Sequence, residues 1–262
     1  MSPVKYIFII ISALLIAGCH SHDKNTLRVG VMAGPEAAIM ETAKTVANNQ
    51  FGLNIKIVEF SDYLQPNAAL SEGAIDANLF QHQPYLDQQI KDRQYKLVSI
   101  GKMFLYPMGI YSDHLKSLKN IAVGGTVVMP NDPSNEGRAL LLLQSAKLIS
   151  LDTHAGVIAT PGNIVSNPKH LIFKELDAAQ IPRSLPDVAL GIINTNYALL
   201  AGLSKTNVLW VEDRSSPYVN IVVVRQDNVS DPRFKQLMAT LHSPAVLETA
   251  KHMFHNQAIA GW

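Results

Sequence analysis

The sequence predicts an α/β protein with two lobes, in which parallel strands alternate with crossover helices. From Leu27 to Phe80, strand-like and helix-like segments alternate, and this order is typical of a parallel sheet. The strand-rich piece 96–112 is longer than one crossover requires, so we expect the chain to leave the first lobe there and enter a second. The apolar segment 221–224 is then expected to return to the first lobe.

The composition is that of an ordinary globular protein. The chain has 262 residues, of which 47% are hydrophobic and 16% are charged, and its formal net charge is +1. This length permits one large domain or two modest ones, each with its own core. The balanced charge argues against nucleic acid as a partner, because nucleic-acid binding needs a basic face.

The first residues carry a processing signal. Lys5 precedes an apolar run over 6–16, which has the length of a secretory signal and is too short to span a bilayer. The run leads into Leu-Ile-Ala-Gly-Cys, which resembles the lipobox of bacterial lipoproteins. We predict a signal peptide over 1–18 and, over 19–26, a lipidated N-terminus at Cys19 with a short tether; a plain secretory signal is the alternative. No disulfide is expected, because Cys19 is the single cysteine.

The elements of the first half follow from apolar patterns and prolines. Proline suits the first turn of a helix, where a backbone N–H is unpaired in any case. The predicted strands are 27–32, 55–60 and 75–80, and the predicted helices are Pro35 to about Asn49, Pro66 to about Gly73 and Pro84 to about Arg93.

The second half is predicted in the same way. A strand over 121–129 is followed by Asp132 and Pro133, which suit the N-cap and first position of a strongly apolar helix. A strand at 190–193 is expected to end in an amide-rich loop over 194–197. Two helices between 232 and 262 are expected to close the first lobe.

Aromatic side chains are concentrated at strand-to-helix junctions. Phe80, His82 and Tyr85 lie within six positions of the chain, and Tyr63 lies at an earlier junction. In open α/β sheets, ligands bind outside the carboxyl ends of the strands, which is where such junctions lie. Aromatic faces suit a polarisable apolar group such as a thioether. A buried aromatic core is the alternative, but the glutamines that alternate with the rings favour a binding site.

A polar group of residues is predicted on the second lobe. The free N–H groups at the helix start after Asp132, with the guanidinium of Arg138 one turn later, suit a carboxylate. Asn194 and Asn220 offer neutral amides that can accept hydrogen bonds from an ammonium group. The alternatives are a surface ion pair for the arginine and turn positions for the asparagines. Together with the aromatic rings, these residues predict a receptor for a small zwitterion with an apolar side chain.

An enzyme acting on amino acids or peptides is the rival interpretation. It would need a nucleophile, a metal or a tuned acid–base pair. The sequence has no nucleophile-elbow pattern, no cysteine besides Cys19 and no His-Glu-x-x-His. His252 and His255 are spaced to share a helix face, but no third histidine stands nearby in sequence. We therefore expect no enzymatic activity, no cofactor and no metal.

The chain resembles the family of methionine-binding lipoproteins of the MetQ and NlpA type, which supply an ABC importer. The matching blocks extend over essentially everything after the signal: VGVMAGPEA, FGLNIKIVEFSDYLQPNAALSEGAIDAN, FQHQPYLDQQIKDR, YKLVSIGK, VVMPNDPSNEGRALLLLQ, LPDVALGIINTNYA, VEDRSSPYVNIVVVR and the terminal GW. The resemblance implies a periplasmic-binding-protein-like fold, with two α/β lobes around a ligand cleft joined by crossover segments. We expect 27–108 and 215–262 to form the first lobe and 109–214 the second.

The resemblance also implies roles for individual residues. Aromatic rings would hold the thioether, Arg138 the carboxylate, and amides the ammonium and carboxylate groups. The eight candidate contacts are Tyr63, Phe80, His82, Tyr85, Asn135, Arg138, Asn194 and Asn220. Departures from the family sequence at 102–105, 108–110 and 178–179 keep a methionine dipeptide or another small amino acid as alternative ligands.

The expected function is capture of methionine, in the L and also the D form, and delivery to an ABC importer. The expected partners are the importer's permease and ATPase, with a membrane reached through the lipid anchor. We expect a monomer in the bacterial cell envelope, facing the periplasm or the exterior. A surface adhesin is the remaining alternative.

Overall fold

The structure, a computed structural model, describes residues 25–203 and 207–262. The predicted signal peptide and Cys19 lie outside the described residues. Within the described ranges, no helix is both long enough and apolar enough to cross a membrane.

The strands are mostly short, and two of the predicted strands begin later than the sequence suggested. In chain order they are β1 Thr26–Met32, β2 Asn54–Phe60, β3 Ala77–His82, β4 Leu97–Lys102, β5 Phe104–Leu105, β6 Gly109–Tyr111, β7 Thr126–Pro130, β8 Ser150–Leu151, β9 Ile164–Ser166, β10 Ile172–Leu176, β11 Leu190–Ile193, β12 Val208–Val211, β13 Asn220–Arg225 and β14 Ile259–Ala260.

The helices follow the strands closely, and the prolines that the sequence marked stand in their first turns. The α-helices are α1 Pro35–Phe51, α2 Gln65–Ser71, α3 Gln83–Arg93, α4 Pro133–Ser145, α5 Ile181–Ser184, α6 Thr195–Leu200, α7 Arg233–Leu241 and α8 Pro244–Met253. Short 3₁₀ turns cover Leu118–Asn120, Gly156–Ile158, Pro161–Asn163, Leu185–Asp187 and Gln226–Asn228.

The first sheet has the strand order β2-β1-β3-β13-β4. Its β1 strand runs parallel to β2 and β3, with Val29 opposite both Ile57 and Ala77. Strand β13 runs antiparallel to β3 and β4, so the late segment returns to the first sheet as the sequence predicts. Helices α7 and α8 pack against α1 on this sheet.

The second sheet repeats this arrangement with the order β10-β7-β11-β6-β12. Strand β7 runs parallel to β10 and β11, while β6 runs antiparallel to β11 and β12. The chain therefore passes between the sheets twice, through 103–108 and through 212–219. These two crossovers are close in space, because the backbone N–H of Glu212 donates to the carbonyl of Met108 at 2.9 Å.

Each sheet has its own apolar core, and a third cluster joins the two. The third cluster contains Phe80 and Tyr85 from the first sheet's side and Ile193 and Tyr197 from the second. Burial of apolar surface is the main favourable term in such contacts. The two sheets therefore face each other across a partly apolar interface.

Two predicted strand starts and one predicted loop are wrong. Strand β3 begins at Ala77 rather than at 75. Residues 74–76 form a bend, and there the Asp76 carboxylate pairs with Arg28 at 2.7 Å. Strand β7 begins at Thr126 rather than at 121, because Gly124 adopts a φ of +76° in a turn. The expected amide-rich loop is helix α6, with Asn194 as its N-cap residue.

Candidate ligand-binding site

A cleft lies between the two sheets, beside the first turns of helices α1, α3, α4 and α6. Its volume is about 370 Å³ with the solvent at its mouth included, but only about 20 Å³ of it is open to the centre of a water molecule. That is room for about one water, so the cleft is nearly closed. It is lined by Glu36, Tyr63, Phe80, Gln81, His82, Tyr85, Tyr106, Asn135, Arg138, Asn194, Thr195, Asn196 and Asn220.

All eight candidate residues from the sequence lie on this cleft. The residues come from both sheets and from the strand that returns to the first one, so chain folding brings distant positions together. Their contact with a ligand stays a prediction.

One side of the cleft is an aromatic wall, formed by Tyr63, Phe80 and Tyr85, and the ring of Tyr197 packs against it. The Tyr63 ring centroid lies 5.8 Å from that of Phe80 and 4.9 Å from that of Tyr197. Phe80 and Tyr85 meet edge to face at 5.7 Å. These spacings are the favourable ones for aromatic pairs. The rings are packed together, as in a core, and they also line the cleft, so their role in ligand binding stays a prediction.

The hydroxyl groups of the wall have protein partners. Tyr85 Oη donates to the Tyr63 carbonyl at 2.9 Å, and Tyr63 Oη donates to Asn196 Oδ1 at 2.8 Å. Burial raises the pKa of the Tyr63 phenol well above its usual value, and it also raises the pKa of Tyr85. Both phenols therefore keep their protons at neutral pH, and the wall carries no charge.

His82 is held as a neutral imidazole at the end of β3. Its Nδ1 accepts a hydrogen bond from the backbone N–H of Tyr85 at 3.2 Å, which makes His82 the N-cap of α3. Its Nε2 then carries the proton and lies 3.4 Å from Asn135 Oδ1. Burial, followed by the charge of Arg138, lowers the pKa of His82 to about 3.

Asn135 connects the two sides of the cleft. Its backbone N–H donates to Asp132 Oδ1 at 2.9 Å, so Asp132 is the N-cap of α4 as the sequence predicts. Its Nδ2 donates to the same carboxylate, and its Oδ1 accepts from Asn194 Nδ2 at 3.0 Å. The amide of Asn135 is thereby fully used, which favours a positioning role for it.

Asn194 has an unused acceptor. Its side chain is buried, and its Oδ1 has no hydrogen-bond partner among the described residues. The side chain of Asn220, at the start of β13, also makes no hydrogen bond within residues 25–203 and 207–262, although its backbone carbonyl accepts from Met103 at 2.7 Å. The unpaired buried acceptor of Asn194 is unfavourable, and Asn220 lines the same cleft, so these amides suit a ligand that donates hydrogen bonds.

Arg138 is buried in the first half of α4, with only 3% of its surface exposed. Its Nε donates to Glu212 Oε1 at 3.0 Å, and its Nη2 contacts Glu212 Oε2 at 2.5 Å and the Tyr106 carbonyl at 3.0 Å. Its Cζ lies 4.7 Å from the ring centroid of Tyr218. Within the described part of the chain, Nη1 has no partner. The guanidinium is therefore fixed in place and keeps one free amino group.

Glu212 is a residue that the sequence did not predict for this site. Its carboxylate also accepts from the backbone N–H of Met108 at 3.0 Å and from Ser216 Oγ at 2.8 Å. The Arg138–Glu212 pair thus joins α4 to both crossovers. No sequence pattern relates these two residues, which are 74 positions apart.

Glu36 is a second unpredicted residue of the cleft. It stands in the first turn of α1, and its Oε2 is buried without a hydrogen-bond partner among the described residues. Burial raises the pKa of this carboxyl well above its ordinary value. Its position directly after β1, at the carboxyl end of a parallel strand, was a usable signal.

No metal site is found in the part of the chain that the structure describes, where no group of three or more His, Cys, Asp or Glu side chains could hold a metal ion. His252 and His255 do not share a helix face, because α8 ends at Met253 and His255 has a φ of +51°.

Known proteins match the chain over almost its whole length. The sequence model of the family described as NlpA lipoprotein matches residues 27–262. A relative named D-methionine-binding lipoprotein MetQ, from Salmonella typhimurium (strain LT2), is 48% identical over 258 residues, which are 97% of this chain and 95% of the relative.

Solved structures share the fold. A periplasmic substrate-binding protein of an ABC transporter from Coxiella burnetii is 56% identical with a TM-score of 0.87, and the match covers 90% of this chain and 100% of that one. A nutrient binding protein from Burkholderia cenocepacia, solved bound to methionine, is 47% identical with a TM-score of 0.87, with 90% and 100% covered. The chain therefore belongs to the NlpA lipoprotein family.

Proposed function

We propose that this protein is a lipid-anchored, extracytoplasmic substrate-binding protein that captures methionine, in the L and also the D form, and delivers it to an ABC importer. The observation that carries the proposal is the polarity of the cleft. One side is an uncharged aromatic wall, and the other has a fixed guanidinium with a free amino group beside unpaired acceptors. The names of the relatives, which are binding proteins and not enzymes, support the same function.

Each end of methionine has a matching group in this proposal. The ligand's carboxylate pairs with Arg138 Nη1, because a buried charge must be paired. Its ammonium donates to Asn194 and Asn220, whose side-chain oxygens have no partner within residues 25–203 and 207–262. Its thioether lies against Phe80 and Tyr85, because sulfur–ring contacts are favourable.

Entry of the ligand requires the sheets to separate. Because the cleft has room for about one water, methionine enters only when the crossovers at 103–108 and 212–219 bend. Hinge closure around a ligand is common in proteins of two α/β lobes. We assign 27–108 and 215–262 to one moving lobe and 109–214 to the other.

The membrane anchor is placed at Cys19, after a signal peptide over 1–18 and before a tether to residue 26. Several acyl chains hold a protein at a membrane, whereas one chain holds it only marginally. In this arrangement the protein is a monomer in the cell envelope that reaches its permease and ATPase while tethered. Cys19→Ala protein that still carries lipid and stays in the membrane fraction would contradict this assignment.

The decisive experiment identifies what the protein carries. Freshly purified protein is denatured, the released small molecules are identified by mass spectrometry, and the ligand-free protein is titrated with L-methionine, D-methionine and norleucine by calorimetry. We expect released methionine and saturable binding of methionine. Release of a dipeptide or another amino acid would show that the ligand is not methionine. If the protein binds none of the titrated or released molecules, the proposed function is wrong.

A further inference from the structure

Glu36 is unusual among the buried carboxyl groups of the described residues. Of the other two buried carboxyl groups, Asp76 is paired with Arg28, and Glu136 shares a hydrogen bond with the carboxyl group of Glu175. Glu36 is 6% exposed, forms no ion pair within the described ranges, and has a buried oxygen without a partner. A carboxyl group left in this way needs an explanation, because burying it unpaired is unfavourable.

The cavity on one side of Glu36 is too apolar to hydrate its carboxyl group. A second small cavity adjoins the cleft, and Glu36, Tyr106 and Asn220 line both. The remainder of that cavity is apolar, and only about 20 Å³ of it is open to the centre of a water molecule. Since an ordered water needs several polar partners, the open side of Glu36 is the ligand cleft.

We propose that the Glu36 carboxyl group is the acidic partner of the ligand's ammonium group, and that it holds a proton in the empty cleft and loses it when the ligand binds. This proposal rests on the proposed binding of an amino acid by the same cleft. It assigns Glu36 to the part of the cleft that Tyr106 and Asn220 also line. The first turn of α1 stabilises the carboxylate once it forms, because helix N-termini favour negative charge.

The proton balance is simple. The ligand enters as a zwitterion, Glu36 changes from carboxylic acid to carboxylate, and one proton leaves to the solvent. No bond of the ligand is made or broken. By linkage, affinity for the ligand rises with pH by up to about tenfold per pH unit while Glu36 is protonated in the empty protein.

The other titratable groups around Glu36 are not sources of the proton that is released on ligand binding. The phenols of Tyr63, Tyr106 and Tyr197 interact electrostatically with its carboxyl group, and burial raises the pKa of each. His82 lines the same cleft, and burial lowers its pKa to about 3, so it stays neutral.

The elements packed against α1 give Glu36 no ion-pair partner among the described residues. Helix α1 packs against β1, β2, α6, α7 and α8. Among the described residues, the charged side chains of β1, β2, α7 and α8 form no ion pair with Glu36. Tyr197 of α6 is the titratable group of these elements that senses its charge.

The test compares the lipoprotein in detergent with two variants, Glu36→Gln and Glu41→Gln. Glu41 lies on the same helix and is exposed, so Glu41→Gln is the matched control. Calorimetry with methionine at pH 7, in two buffers with different heats of ionisation, measures the protons released on binding. We expect release from the parent and from Glu41→Gln, and none from Glu36→Gln.

A ligand without the ammonium group sharpens the test. The 2-hydroxy analogue of methionine keeps the carboxylate and thioether but has a hydroxyl instead. We expect Glu36→Gln to weaken methionine binding roughly tenfold to hundredfold, as loss of a charged hydrogen-bond partner does. It should change binding of the analogue by less than about threefold. Equal methionine affinity and equal proton release in parent and Glu36→Gln would overturn the proposal.

The outcomes separate this proposal from the proposed function. If the parent binds no methionine, the function fails; if the parent binds methionine but Glu36→Gln behaves like the parent, only the role of Glu36 fails. The ligand-free protein gives an independent measurement. The pKa of Glu36 is raised on folding, so its stabilising contribution is present at low pH and lost as pH rises. The parent should therefore lose stability relative to Glu36→Gln as pH rises, and an unchanged difference would contradict the protonated state.

Discussion

The aromatic wall and the polar end of the cleft differ in how their groups are satisfied. In the wall, rings pack on rings, and the hydroxyls of Tyr63 and Tyr85 have protein acceptors. At the polar end, Glu36 and Asn194 each bury an oxygen without a partner in the described residues, and Arg138 keeps a free amino group. The groups of the wall thus have their packing and hydrogen-bond partners without a ligand, whereas the polar end has groups that lack partners.

This difference assigns separate tasks to the two regions. A preformed apolar surface selects among side chains by shape, and one methylene is worth only about 1–3 kcal/mol there. Unpaired buried groups reject a molecule that lacks the matching donor or acceptor much more strongly. We therefore expect the polar end to determine that an amino acid binds, and the wall to determine which one.

Removing the guanidinium should have the largest effect. In Arg138→Ala the ligand's carboxylate has no cation, so methionine affinity should fall roughly thirtyfold to several thousandfold, equivalent to about 2–5 kcal/mol. The free energy of unfolding should fall as well, because Glu212 is left buried without its partner. Calorimetry and urea unfolding measure the two effects, with exposed Arg93→Ala as the control.

A double variant separates binding from folding. Adding Glu212→Gln to Arg138→Ala removes the unpaired carboxylate, so stability should partly recover while affinity does not. If Arg138→Ala is folded by circular dichroism and binds methionine within a few-fold of the parent, the carboxylate does not bind at Arg138.

Opening the wall should have the next largest effect on ligand binding. Phe80→Ala removes a buried ring, which costs about 3–5 kcal/mol of unfolding free energy in typical cores. The variant should lose its preference among amino-acid side chains, because its affinity for methionine and norleucine falls more than its affinity for alanine. Phe51→Ala, on α1 with its side chain 38% exposed, is the matched control for both measurements. A variant that loses alanine binding as severely as methionine binding would show that the two regions do not act separately.

The smallest expected effect is on the stability of the folded protein in acid. It arises from His82, which lies between Tyr85 of the wall and Asn135. His82 has a pKa of about 3 in the folded protein and about 6.5 when unfolded, so the unfolded chain takes up the proton first. Its stabilising contribution is present above pH 6.5 and is lost as pH falls. From pH 6.5 to 5 the loss should be up to about 2 kcal/mol.

His82→Asn isolates this contribution, because asparagine is neutral and is also a good N-cap residue. Urea unfolding at pH 7 and pH 5 should show a smaller acid-induced loss in the variant than in the parent. His252→Asn, which changes an exposed histidine, should behave as the parent does. Equal acid sensitivity of His82→Asn and the parent would mean that His82 is not buried as a neutral group.

Local chemistry made the wall and the helix starts predictable. Pro84 and Pro133 stand in the first turns of α3 and α4, and Asp132 caps α4, because these preferences depend on a few neighbouring residues. The rings at 80, 82 and 85 are close in sequence, so their closeness in space could be predicted. Boundaries failed where a side chain found a distant partner, as Asp76 did with Arg28.

The sequence by itself determined the alternation of strands and helices, the caps, and the residue types that face the cleft, since periodicity and capping act over a few positions. Only the tertiary structure decided the partners. Glu212 binds Arg138 from 74 positions away, and Glu36 is buried without a cation or a hydrogen-bond partner for its Oε2 among the described residues. Pairing and desolvation depend on which surfaces meet across the two sheets, and no local pattern encodes that.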